Sequence, residues 1–110
     1  MHQPEIIQGW LSEHKHQQLR ITKYEESDQD ITEMKLQKVT IAHHQDPEEY
    51  LSGTVILLNG EGWVQTAAGS APLPGNTYEL ALTDHWSVDT TDTTMHLQTD
   101  RARYTITVQN

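Results

Sequence analysis

The hydrophobic pattern is densest between Leu51 and Thr66. Val55, Ile56, Leu57 and Leu58 are the only run of four large aliphatic residues in the chain, and Trp63 and Val64 resume the apolar pattern after Asn59-Gly60. Asn-Gly is the pair that best tolerates the positive φ angles of a tight hairpin turn. The stretch therefore predicts two antiparallel strands at the centre of a sheet. A loop of even length keeps Ile56, Leu58 and Trp63 on one face and Val55, Leu57 and Val64 on the other, because side chains alternate along a strand. Both faces are then apolar, and each needs a cover: a second sheet, the curve of a barrel, or a helix.

Met1 to Gln17 reads as a helix. Pro4 suits the first turn, and Ile6, Ile7, Trp10, Leu11 and His14 recur at helical spacing. Gly9 weakens that helix by roughly 1 kcal/mol, so it needs tertiary packing to persist. Its polar face carries Glu5, Glu13 and only Lys15. Membrane-surface helices are usually basic, so docking on the rest of the chain is the expectation.

The chain from 18 to 110 reads as antiparallel β structure. Leu19–Glu26 is a strand, and Ser27-Asp28-Gln29-Asp30 a polar turn. Ile31–Ala42 is a long strand with a fault in its phase: Met34 and Leu36 share one parity, Val39 and Ile41 the other. A bulge or kink near Gln37-Lys38 reconciles them, as where a strand curls with a barrel or passes between two sheets. His43–Glu49 is a loop broken by Pro47. Ala67–Asn76, rich in small residues, Pro and Gly, is the longest irregular stretch, read either as a functional loop or as a plain crossover. Thr77–Thr83 is a strand with Tyr78, Leu80 and Leu82 inward. Asp84-His85 turns the chain, Trp86 and Val88 continue the alternation, and Asp89–Asp92 turns again.

The last two strands contain an internal check. A turn centred on Asp100-Arg101 pairs Leu97 with Tyr104 and Met95 with Ile106, which puts both apolar sets on one face. His96, Gln98, Arg103, Thr105 and Thr107 then meet water. The sum is a mainly β (α+β) fold. One N-terminal amphipathic helix packs on a seven- to eight-stranded antiparallel meander, barrel-like or a two-sheet sandwich, in a single domain of residues 1–110.

Composition narrows the function classes. Hydrophobic residues make up only 35%, with no Phe and no Cys, so Ile, Leu, Val, three Trp and four Tyr must build the core. Without cysteine there is neither a disulfide framework nor thiolate chemistry. No signal-peptide pattern and no apolar run of about 20 residues is visible, so a cytoplasmic setting without membrane contact is expected. Sixteen acids against seven Lys and Arg give a net charge of −9. Residues 1–49 hold ten acids and five bases, and residues 50–110 hold six and two. A spread acidic surface repels phosphate backbones, which argues against nucleic acid as a partner.

Candidate chemistry is sparse. His14 and His16 lie about 200° apart round a helix axis, so they cannot share a metal from one face. His43-His44 are adjacent in a loop, and no HExxH occurs. Asp84, Asp89 and Asp92, with Thr90 and Thr91, are clustered oxygen donors without EF-hand spacing. Ser12, Ser27, Ser52, Ser70 and Ser87 all lie outside any GxSxG motif, and Gly60-Glu61-Gly62 is not a phosphate loop. Glu25-Glu26 and Glu48-Glu49 read as solvated surface. Trp10, Trp63 and Trp86 have the chemistry of a sugar-stacking platform, but in a chain without Phe they are expected in the core. No catalytic, cofactor or metal site is assigned. The expected function is a non-catalytic binding or interaction module for a protein or small-molecule partner. The alternative is a small-ligand barrel, or an enzyme of that shape, with its site inside.

Overall fold

The computed structural model describes residues 3–43 and 53–109. Helix α1 (Pro4–Ser12) precedes ten strands: β1 (Gln18–Glu25), β2 (Asp28–Lys35), β3 (Lys38–His43), β4 (Thr54–Asn59), β5 (Gly62–Thr66), β6 (Gly69–Pro72), β7 (Thr77–Ala81), β8 (Trp86–Thr90), β9 (Thr94–Thr99) and β10 (Arg103–Gln109). They form a seven-stranded sheet, β6-β5-β2-β1-β10-β9-β8, and a three-stranded sheet, β3-β4-β7. Every pairing is antiparallel. The expected loop His43–Glu49, apart from His43 at the end of β3, lies outside the described residues, as do Leu51 and Ser52.

The chain passes between the sheets four times: β2 into β3, β4 into β5 and β6 into β7 at one corner, and β7 to β8 elsewhere. Backbone hydrogen bonds carry the ladder round this corner. Lys35 N–H donates to Glu61 O (2.9 Å), Gln37 N–H to Asn59 O (2.8 Å), Gly60 N–H to Asn76 O (2.9 Å) and Leu73 N–H to Gly62 O (2.9 Å). The pairs β2–β3 and β4–β5 each act as one strand bent at the corner, and a 3-10 turn, Pro74–Asn76, joins β6 to β7 there. Counted so, the ten segments are seven strands of a meander whose last member, β10, pairs with its first, β1. The barrel is left open between β7 and β8, which lie at the ends of their sheets.

The corner corrects the expected central hairpin. β4 pairs with β3 and β7, and β5 pairs with β2 and β6. Asn59-Gly60 is a bend between sheets, not a hairpin turn. The glycines with positive φ are Gly69 and Gly75. Gly60 and Gly62 serve a different need, since a β-carbon on either would run into a carbonyl oxygen of β2, Lys35 O or Glu33 O. The bend also changes the phase. Ile56 and Leu58 are fully buried, whereas Trp63, expected beside them, is 58% exposed. The same corner explains the fault in Ile31–Ala42: Met34 and Leu36 are buried before it and Val39 after it.

Other boundaries shift for local reasons. The helix ends at Ser12 rather than Gln17. His16 takes a φ of 71°, its N–H donates to Leu36 O (2.6 Å), and Leu36 N–H donates to Gln17 O (3.1 Å), so the corner captures the chain. Ile7, Trp10 and Leu11 are buried, while Ile6 stays 48% exposed. Trp10 Nε1 donates to Thr91 O at 2.8 Å, which ties α1 to the β8–β9 turn. The β1–β2 turn is Glu26-Ser27, with Asp28, Gln29 and Asp30 inside β2. Asp89 and Thr90 likewise belong to β8. The irregular stretch Ala67–Asn76 contains β6, held by backbone pairing with β5 rather than by side chains, so no apolar alternation marks it. The β9–β10 hairpin forms in the expected register, Leu97 opposite Tyr104 and Met95 opposite Ile106.

Candidate functional site

The outward face of the seven-stranded sheet carries a polar cleft. Register places Tyr24, Arg103, Gln98 and Ser87 in one row across β1, β10, β9 and β8, with Thr22, Thr105, His96 and Asp89 in the next. Tyr24, Ser87, Asp89, His96, Gln98, Arg103 and Thr105 line a cleft of about 520 Å³. The alternation that sends Leu97, Tyr104 and Ile106 into the core sends these polar residues outward.

Arg103 lies over the Tyr24 ring, its guanidinium carbon 5.5 Å from the centroid. A cation–π contact of this kind holds a guanidinium in place while its N–H groups remain able to grip a planar anion. His96 Nδ1 and Thr105 Oγ1 are 3.3 Å apart beside it. Asp89 is the one carboxylate in the lining. Across the strands of this outward face, Arg20, Lys35 and Arg103 stand against Glu33 and Asp89, three positive and two negative, on a chain of net charge −9. The exposed Trp63 shares the face, opposite Glu33 in the register.

The interior enclosed by the two sheets is filled. Ile21, Met34, Met95 and Ile106 of the larger sheet and Ile56, Leu58 and Leu80 of the smaller one are fully buried. At its edge, Lys23 Nζ stands 5.9 Å from the Tyr104 ring centroid. Burial pushes the Tyr78 hydroxyl well above the ordinary tyrosine value, and the neighbouring Tyr104 and Asp30 add to that. Burial raises Tyr104 as well, with Glu25 adding and Arg101 opposing. Both phenols are therefore neutral at physiological pH, suited to hydrogen bonding rather than to proton abstraction.

The residues singled out by sequence are dispersed. The His14 ring packs 4.5 Å from the Trp10 ring, and its Nδ1 lies 2.9 Å from Gln17 Oε1. His85 Nδ1 lies 3.5 Å from Asp100 Oδ2. Desolvation pulls the Asp100 carboxyl up, but the Thr83 hydroxyl, the His85 N–H and the His85 ring outweigh it and hold the group below its ordinary value. Among the described residues no three His, Asp or Glu side chains converge as a metal site requires, so Asp84, Asp89 and Asp92 are not brought together. His44, Ser52 and the pair Glu48-Glu49 lie outside the described residues. Of the three Trp, Trp10 is buried, Trp86 half-buried and Trp63 exposed on the sheet, so they form neither one platform nor one core. Sequence reading placed Arg103, His96, Gln98 and Thr105 in water. It passed over Tyr24, because only the pairing of β1 with β10 sets that ring beside Arg103.

No helix among the described residues is long and apolar enough to cross a membrane. No solved structure matches the chain significantly. The uncharacterized protein YmzB of Bacillus subtilis (strain 168) is 34% identical over 110 residues, an alignment spanning 94% of this chain and 93% of that protein. The model of the YmzB-like protein family matches residues 1–110, and with a relative this similar over nearly its whole length, the chain belongs to that family.

Proposed function

We propose that residues 1–110 act as one non-catalytic binding domain, which meets a small anionic ligand at the outward cleft around Arg103. The observation that carries this reading is the guanidinium held 5.5 Å over the Tyr24 ring, in a cleft with a single carboxylate, on a protein that is otherwise strongly acidic. A guanidinium held beside a ring face offers paired N–H donors to a carboxylate or phosphate. Gln98, Ser87 and Thr105 supply further hydrogen-bonding groups within the same cleft. The competing reading, a ligand held inside the barrel, draws no support from an interior packed with Ile21, Ile56, Leu58, Leu80, Met95 and Ile106. The cytoplasm is the setting we infer, since small secreted domains lean on disulfides and this chain has no cysteine.

The test is an NMR titration of the labelled protein with inorganic phosphate and, separately, with citrate. Saturable shifts confined to the neighbourhood of Tyr24, His96 and Arg103, and lost in Arg103→Gln, are expected. Shifts spread evenly over the surface, or undiminished in that variant, would overturn the reading.

A further inference from the structure

We propose that the groove between α1 and the β8–β9 turn docks a basic, amphipathic segment of a partner protein. The groove measures about 670 Å³ and lies apart from the Arg103 cleft. Trp10 lines it, pinned by the bond from its indole N–H to Thr91 O.

Gly9 is the unusual residue. It sits in the middle of a nine-residue helix, is exposed, and has no positive φ. A β-carbon built there meets nothing within 4 Å. Neither backbone conformation nor packing therefore calls for glycine. Relative to alanine it weakens the helix, a sizeable loss for so short an element. What the missing side chain does provide is bare helix backbone that another chain can approach closely. Ile6, one turn earlier, is 48% exposed and lines the same groove, giving it an apolar contact point.

Charge selects the occupant. Glu5, Glu13 and Asp92 border the groove, and its lining holds no Lys or Arg. An anionic lipid surface is repelled by that rim. A second copy of this chain fits no better, because its seven Lys and Arg are scattered and form no basic amphipathic run. A partner segment alternating Lys or Arg with aliphatic residues satisfies both features, its bases meeting the carboxylates and an aliphatic side chain meeting Ile6 above Gly9.

The test uses a fluorescein-labelled peptide of alternating lysine and leucine, followed by anisotropy, with an aspartate-leucine peptide as control. The informative variant is Gly9→Ala, which should melt higher than the parent yet bind the lysine peptide about tenfold more weakly. Glu13→Gln should also weaken binding. Glu79→Gln, on the exposed face of the three-stranded sheet, should leave it unchanged. Three outcomes overturn the proposal: Gly9→Ala binding like the parent, Glu79→Gln losing as much as Glu13→Gln, or no saturable binding of the lysine peptide. Because Gly9→Ala is expected to be the more stable protein, lost binding in it is not a folding failure.

Discussion

Replacing Trp10 with alanine tests whether α1 is part of the fold. The side chain is 8% exposed, packs in the same core cluster as Ile7 and Leu11, and donates its indole N–H to Thr91 O at 2.8 Å. Truncating a buried Trp to Ala costs about 3–5 kcal/mol through lost burial and the cavity left behind. The Thr91 carbonyl loses its donor as well, a further effect of about 1 kcal/mol. Against a total stability of about 5–15 kcal/mol, the loss is large. At ~4 °C or more per kcal/mol for a domain of this size, the melting midpoint should fall by about 12 °C or more. Trp10→Phe separates the two contributions, since it keeps most of the burial and removes the bond; it should lose about 1 kcal/mol plus a small packing penalty. Urea denaturation with an unchanged slope would attribute the shift to stability rather than to the unfolded state. If Trp10→Ala melts within about 2 °C of the parent, the helix is an arm and the reasoning fails. Hydrogen exchange provides a second check, because amides of residues 6–14 in a docked helix exchange far more slowly than those of a free peptide.

Other expectations follow from the corner and from the surface charge. Gly60→Ala should lose several kcal/mol or fail to fold, because its β-carbon overlaps the Lys35 carbonyl and forces β2 and β5 apart; circular dichroism melts would show a parent-like variant if the corner were loose. The Asp100 carboxyl sits below its ordinary value, so its contribution to stability is present above the unfolded carboxylate range and is lost as the pH falls through the folded value. Asp100→Asn should therefore flatten the acid side of the melting profile below about pH 5, and an unchanged profile would refute this. Duplex DNA should not bind at physiological salt, because a net charge of −9 outweighs the near-neutral sheet face for a polyanion; a micromolar, salt-sensitive complex in an anisotropy titration would contradict this.

Local physics was legible in the chain. Alternation and turn chemistry suffice for the β9–β10 hairpin, because an odd-even pattern on both sides of Asp100-Arg101 permits only one register that buries Met95, Leu97, Tyr104 and Ile106 together. The broken parity between Leu36 and Val39 announced the corner for the same reason, since a strand cannot change its buried face without a bend. The stripe Ile7, Trp10 and Leu11 announced a docked helix. What needed the tertiary structure was partner choice. Val55 to Leu58 reads as a central strand whatever pairs with it, and Asn59-Gly60 reads as a hairpin turn until β2 is seen pressing its carbonyls where a β-carbon would sit. That contact belongs to residues some twenty-five positions earlier in the chain, beyond any local pattern. The candidate site divides in the same way. Which residues of β9 and β10 face water follows from period two. That Arg103 meets Tyr24, and that Trp63 faces outward, follows from closing the meander with β1 on β10 and bending it at the corner, which long-range burial decides and no single segment encodes.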